Sequence, residues 1–383
     1  MEVALACAIL VNAVFLIASR FSIMHIHSGV DEASLGTVVV TGFEPKQAND
    51  LNARMVAGLR TIPGVESVNV VTSVPFGPQS GVWGITLDRK NYRSVIEFYM
   101  GGPGTPEDLG LNLVAGSLPS IGDYQPLPGQ DYFPASSRVL ITRALAERLW
   151  PGENPLGKEF WAAKWQFRVI GVVADLAVSQ YTEYGARGAE WCVFVPTMPG
   201  GRLAGTYILH AQPRELNRAM LAARAMVGKI APGVVLDEED SHTISFLRTR
   251  FFQTDRAMAG LLAGVIVTLL AVTAFGIVGL TSFWVAQRRK QIGIRRALGA
   301  ARMDILRYFQ AENFLIVSFG ILIGVVLAFG INLVMMQFFE VARLPLWYVP
   351  IGVVVLWLLG QLAVLWPALR AAAVPPAEAT RTV

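Results

Sequence analysis

The sequence is poor in charge, in cysteine and in histidine. Only 16% of its 383 residues are Asp, Glu, Lys or Arg, against about a quarter in an ordinary soluble domain. Part of the chain therefore lies outside water. The deficit is concentrated: residues 3–19, 257–286, 313–339 and 344–369 contain no charged residue at all. Each run approaches or exceeds the roughly 17–25 apolar residues that cross a bilayer core, which excludes a wholly soluble enzyme. None of the four runs holds an acid, a base or a histidine. Ion-coupled pumps keep such groups at membrane depth, so any work this chain does must draw its energy from another chain. Of the two cysteines, Cys7 lies in the first run and Cys192 far outside it. They are not expected to pair, and disulfides do not hold the polar part together.

What is present is a strongly local positive charge. Between Gln287 and Glu312 stand Arg288, Arg289, Lys290, Arg295, Arg296, Arg302 and Arg307, opposed only by Asp304 and Glu312. Removing these seven and two from the totals of 32 basic and 28 acidic leaves 25 against 26, a nearly neutral remainder. A short basic loop between two spans is cytoplasmic by the positive-inside rule. Nucleic-acid binding is the other use of a basic cluster, and the flanking spans argue against it. With this loop inside, the polar interval at about 30–250 lies outside the cytoplasm. The fourth span then ends inside, where Arg370 and Arg381 stand. The first span carries only Glu2 on its inner side. A signal peptide is the alternative for residues 1–19, but its basic leader is missing; the expectation is that the native start lies upstream.

The polar interval, roughly 225 residues, is long enough to bury its own core. Residues 20–30 show no breaker before Gly29 and read as a helix extended out of the first span. A strand at 37–41 follows. Leu51, Met55, Leu59 and Ile62 then fall at helical spacing, stopped by Pro63-Gly64, and Val65–Val71 reads as a second strand. This β-α-β unit fits a ferredoxin-like lobe. Residues 75–135 are rich in Gly and Pro and weakly patterned. Strands are expected at 138–141, 167–173, 191–195 and 206–210, with helices from Thr142 to Trp150 and over 215–230. Residues 243–256 lead straight into the second uncharged run. At 1.5 Å per residue that run makes roughly 45 Å of helix, more than a bilayer core of about 30 Å needs, and would supply a second helical stalk.

Several motifs invite a chemical reading. Gly152-Glu153-Asn154-Pro155-Leu156-Gly157-Lys158 matches the start of a phosphate-cradling loop, but Glu159 follows where Ser or Thr is required and a helix precedes it. A Pro-Gly turn explains it as well. His25 and His27 could ligate a metal on a strand; on a helix they diverge. His210, His242 and the acidic cluster 237–240 have no catalytic context, so no catalytic, cofactor or metal residue is expected. Gly260-x₃-Gly264 and Gly320-x₃-Gly324 permit close helix packing. Asn12, Asn332, Gln337 and Gln361 are assigned to helix contacts. In the basic loop, Ile294, Ala297 and Leu298 share one helical face while Arg295 and Arg296 point away, and Gly299 can end the helix. Adsorption to anionic lipid would explain the charges, but not the apolar face.

QRRKQIGIRRALGAARMDILRYFQAENFLI (287–316) resembles the loop between the second and third spans of the MacB/FtsX-type permeases of ABC systems. PALRAAAVPPAEATR (367–381) is similar to that family's tail, and VLITRALAERLWPGENPLGKEF with FRVIGVVADL to its extracytoplasmic domain. The short N-terminus and the 75–135 stretch depart from the family pattern. The resemblance implies a membrane protein with four transmembrane α-helices and an α+β extracytoplasmic domain of two lobes, one ferredoxin-like, on helical stalks. The lobes fall at about 35–75 with part of 190–240, and at about 76–190. The divisions are span 1 at 1–22, the periplasmic domain at 23–250, spans at 257–286, 313–339 and 344–369, a cytoplasmic coupling loop at 287–312 and a tail at 370–383. It further implies that Gln291, Ile292, Gly293, Ile294, Arg295, Arg296, Ala297, Leu298 and Gly299 couple to a separate ABC ATPase, which uses the ATP. Implied partners are a second permease chain, either identical or related, and a periplasmic adaptor, in the inner-membrane bilayer and without nucleic acid. The work would be export, lipoprotein extraction or mechanotransmission. A membrane-anchored sensor or scaffold working without ATP is the alternative, and the cargo stays open.

Overall fold

The structure, a computed structural model, describes residues 1–78, 80–129, 131–180, 188–339 and 343–372, without the side chains of residues 296, 338, 339, 371 and 372. Arg381, Glu340 and the tail from 373 onward lie outside the described residues, as does the side chain of Arg296. The elements in chain order are α1 (Glu2–Met24), β1 (Leu35–Thr41), α2 (Ala48–Arg60), β2 (Val65–Val70), β3 (Gly81–Thr86), β4 (Tyr92–Gly101), α3 (Thr105–Asp108) and β5 (Leu113–Gly116). There follow β6 (Ser136–Thr142), α4 (Arg143–Leu149), β7 (Glu159–Ala162), β8 (Trp165–Val173), β9 (Cys192–Pro196), β10 (Thr206–Ala211), α5 (Leu216–Ile230) and β11 (Val235–Asp237). The last are α6 (Ile244–Phe251), α7 (Gln253–Gln287), α8 (Arg289–Ala297), α9 (Arg302–Phe339) and α10 (Val349–Ala372). The chain divides into a unit of Met1–Met24 with Thr254–Val383 and a unit of His25–Gln253.

Four helices of the first unit (α1, α7, α9 and α10) are long and apolar enough to cross a membrane. Three of them form a tight bundle, with Cys7, Leu10, Val11 and Phe15 of α1 buried among Val317, Ile321 and Ala328 of α9 and Leu356 of α10. Lipid tails are as apolar as Leu, so close approach and polar staples must hold such a bundle together. Both are present. A Cβ added at Gly324 would stand 2.5 Å from Cys7 Cβ and 2.7 Å from the Ala4 carbonyl, and one at Gly320 would stand 2.9 Å from Val3 Cβ. Asn12 Nδ2 donates to the carbonyls of Ala328 at 3.0 Å and Ala8 at 2.9 Å. Asn332 Oδ1 accepts from the Leu344 N–H at 2.9 Å, and Asn313 Nδ2 donates to the Gly360 carbonyl at 3.0 Å. Gln337 is exposed instead, and Gln361 Nε2 is buried without a partner among the described residues.

α7 is built differently. It buries only Asp255, Ala259 and Thr273, while Ile266, Leu269 and Leu270 at its centre pack half-buried against the bundle core. Asp255 accepts from Arg20 of α1 at 2.8 Å. Near the other end, the Glu2 carboxylate occupies the space beside Gly276. Nothing stands within 4 Å of a Cβ added at Gly260 or Gly264. That corrects their expected role as packing glycines within this chain: identical spacing to Gly320 and Gly324 does not give identical use, because Gly260 and Gly264 face away from the neighbouring helices.

In the second unit, β1-α2-β2 and β10-α5-β11 join in one antiparallel sheet of order β11-β1-β10-β2, the arrangement of a ferredoxin-like lobe. Leu51, Met55 and Leu59 of α2 and Met220, Ala223 and Val227 of α5 are buried in its core. The connection from β2 to β10 carries the other lobe. There β8-β6-β9-β4-β3-β7 are paired in order, and β7 pairs again with β8, closing a six-stranded barrel with β5 beside β8. Small barrels fill with side chains. Phe98, Phe133, Phe160 and Phe167 fill this one, with the Phe160 and Phe167 rings stacked at 5.2 Å. The weakly patterned stretch 75–135 thus supplies β3, β4 and β5.

Two helix ends differ from expectation. α1 stops at Met24 rather than reaching Gly29, and α6 is separated from α7 at Phe252. Tertiary contacts set the first of these. Gly29 adopts φ +76°, and a Cβ there would stand 2.0 Å from the Asp175 carbonyl, so the chain has left the helix to lie on a neighbouring segment. His25 and His27 accordingly lie past the helix end.

Candidate coupling site

The basic loop of 287–312 resolves into α8, a turn and the first turns of α9. α8 ends at Ala297, and Gly299 two residues on has a φ of +101° in the left-handed region. The Ala300 N–H then bonds to the Arg295 carbonyl at 3.1 Å, the six-to-one bond of a glycine-terminated helix. α9 begins at Arg302, with Asp304 Oδ2 accepting from the Ala301 N–H at 3.0 Å. The carboxylate satisfies an otherwise orphaned donor at the helix start and suits the positive end of its dipole.

Two attachments seat α8 on the spans. Ile292 is buried with Ile305 and Phe309 of α9 and Val364 and Ala368 of α10. Arg288 donates to both carboxylate oxygens of Glu312, at 3.1 and 3.0 Å, and Arg295 lies 5.1 Å over the Tyr308 ring. A cavity of about 90 Å³ remains beneath α8, lined by Gln291, Ile292, Arg295, Ile305 and Phe309 among others. Ile292 and Gly293 therefore face their own chain. Within the implied coupling segment these two are buried in their own chain, unlike its other described side chains. Gln291, Ile294, Arg295, Ala297, Leu298 and Gly299 are exposed. Leu298 is 84% exposed, and Met303, which spacing within α8 could not reveal, is 54% exposed. The site is a braced basic helix presenting an unburied leucine at its tip.

The phosphate-loop look-alike has no free cradle. The Gly157 N–H bonds to the Val169 carbonyl at 2.8 Å and the Lys158 N–H to the Pro155 carbonyl at 3.1 Å. The Lys158 ammonium pairs with Glu153 and lies 5.5 Å over the Trp150 ring. Among the described residues, no three His, Cys, Asp or Glu side chains come together to hold a metal.

Residues 263–376 match the family described as FtsX-like permease C-terminal. A macrolide export ATP-binding/permease protein MacB from Chlorobaculum tepidum is 26% identical over 361 residues, covering 91% of this chain and 51% of the relative. The MacB of a Shewanella species is 28% identical over 207 residues, covering 52% of this chain and 31% of the relative. The pyoverdine export protein PvdT of Pseudomonas aeruginosa is 25% identical over 286 residues, covering 72% and 39%. The chain spans about half the length, or less, of these curated relatives. Among solved structures, the periplasmic region of MacB from Actinobacillus actinomycetemcomitans matches at 17% identity and a TM-score of 0.37, over 56% of this chain and 92% of that one. The membrane unit carries an FtsX-like permease domain. Beyond that domain, the chain is similar over most of its length to the MacB export proteins.

Proposed function

We propose that this chain is the non-catalytic permease subunit of an ABC system, in which a partner ATPase hydrolyses ATP and pushes on α8. The observation that carries the reading is the division of labour within α8: Ile292 and the Arg288–Glu312 pair fix it to α9 and α10, while Ile294 and Leu298 face away from the chain. A helix held only by lipid needs no such brace. A load applied at Leu298 would reach α9 and α10 through Ile292 and Arg288. The curated relatives, named as export ATP-binding/permease proteins, support export as the work, which this reading places at the outer side of an inner membrane. A second permease chain and a periplasmic adaptor complete the assembly in this reading. The soluble unit would then lie in the periplasm.

Topology tests the orientation. Reporter fusions after Gly233 should report an extracytoplasmic location and fusions after Ala300 a cytoplasmic one, because seven basic residues oppose two acidic ones over 287–312. A cytoplasmic signal at Gly233 would reverse the whole arrangement. Co-purification of the detergent-solubilised chain with an ABC ATPase, and stimulation of its hydrolysis, tests the coupling. If no ATPase binds, a sensor or scaffold acting without ATP becomes the better reading.

A further inference from the structure

Glu97 is a fully buried carboxylate in the second unit, and nothing in the coupling reading uses it. It lies mid-strand in β4, where Ile96 and Phe98 are also buried. Strand alternation puts those two in the barrel and Glu97 on the barrel's outer wall, between Val82 of β3 and Cys192 of β9. Two chain segments cover it there. The Ser179 N–H donates to both carboxylate oxygens, at 3.0 and 2.9 Å, and Ser80 Oγ donates to Oε1 at 2.6 Å. The two segments also bind each other, through the Ser80 N–H to Ser179 Oγ at 3.1 Å and Gln180 Nε2 to the Ser80 carbonyl at 3.2 Å. Burial pushes the Glu97 carboxyl above its usual range, while the hydrogen bonds from Ser179 and Ser80 act in the opposite direction. A group this costly to bury holds its place by the donors it gathers.

The same two segments hold both connections to the spans. The Ala177 N–H donates to the carbonyl of Ser28, four residues past the end of α1, at 2.9 Å, and Gly29 lies directly against Asp175. Phe76, whose N–H donates to the Val178 carbonyl at 3.3 Å, packs its ring 5.3 Å from Phe251 and 5.6 Å from Phe252, where α6 gives way to α7. Arg248 of α6 then ties one connection to the other. It donates to the Ile26 carbonyl at 2.7 Å, pairs with Glu32 and lies 5.2 Å over the Phe76 ring.

We propose that Glu97 is a clasp joining the barrel to both connections, so that residues 25–32 and 244–252 move as one body and deliver that movement to β4. Glu97 acts here as a positioning residue: its carboxylate holds Ser80 and the segment 177–180, and that segment, with Phe76 bonded to Val178, holds the connections. The clasp lies wholly within the second unit and requires no ATPase, so it can fail while the coupling reading stands, and the reverse.

Hydrogen exchange read by mass spectrometry on the full chain in nanodiscs tests it without nucleotide. Glu97→Gln keeps the shape and removes the charge. It should speed exchange by at least ~10-fold at Ser179 and Ser80, because a charge-assisted bond is replaced by a weaker neutral one. The clasp further requires faster exchange at Ala177, at Phe76 and across 244–252, while β10 amides at 206–211 keep their protection. Exchange that quickens only at Ser179 and Ser80 would overturn the proposal, as would uniform loss of protection including β10. Ser80→Ala removes one donor and leaves the carboxylate, so it should give a smaller change with the same distribution; no change at 244–252 in this variant also counts against the clasp. Arg248→Ala, with the clasp intact, should quicken 25–32 while leaving Ser179 protected.

Discussion

Leu298→Asp is expected to weaken association with the ATPase by at least ~10-fold and to abolish stimulated hydrolysis, leaving the chain inserted and folded. Burying a leucine contributes roughly 1.5–3 kcal/mol, and seating a carboxylate in an apolar groove costs more than that again. Leu298 has almost nothing to lose within its own chain, since it is 84% exposed. The effect must therefore arise in the complex. Ile292→Asp makes the opposite case. Its side chain is buried against Ile305, Phe309, Val364 and Ala368, so this substitution should unseat α8 and lower the stability of the isolated chain before any partner is added. Arg302→Ala, at the exposed start of α9, should have a small, salt-sensitive effect. The measurements are pull-down from detergent extracts, hydrolysis rates, and thermal stability of the chain alone. Normal pull-down and hydrolysis in Leu298→Asp would take the coupling role away from this helix.

What could be read from the sequence divides along physical lines. The spans were legible because a charge-free run of sufficient length has few other uses. The halves of the ferredoxin-like lobe were legible because α2 and α5 carry plain helical periodicity around a strand rich in valine. The barrel was not. β4 reads Tyr-Arg-Ser-Val-Ile-Glu-Phe-Tyr-Met-Gly, and its charged residue at the centre, Glu97, is buried by segments about 20 and 80 positions away. No local pattern announces such a residue. The early end of α1 is likewise a long-range event, fixed where Gly29 meets Asp175. In α8 the spacing identified a helix with an apolar component, yet which isoleucine turned inward depended on α9 and α10. Grouping Ile294, Ala297 and Leu298 found the exposed side, while listing Ile292 with them mixed the anchor with the knob.

The four glycines offer the sharpest separation between what spacing suggests and what packing requires. Gly324→Leu is expected to disrupt the α1–α9 contact, because the first atom added would stand 2.5 Å from Cys7 Cβ and 2.7 Å from the Ala4 carbonyl oxygen. Overpacking commonly costs about 1–3 kcal/mol when side chains can shift, but one of these neighbours is backbone and cannot rotate away. Separating the helices would also strain the bond from Asn12 to the Ala328 carbonyl, one turn further along α9, leaving a polar group unpaired at membrane depth. Gly324→Leu should therefore lose the single sharp peak in detergent chromatography after mild heating, with Gly324→Ala intermediate. Gly264→Leu adds the same bulk where nothing stands within 4 Å, so the heated peak of the isolated chain should survive. If α7 meets a second permease chain through this face, Gly264→Leu will instead separate the copies without unfolding either one. Equal heat sensitivity of Gly264→Leu and Gly324→Leu would show that α7 packs on its own chain as tightly as α9 does, contrary to the geometry found for Gly264.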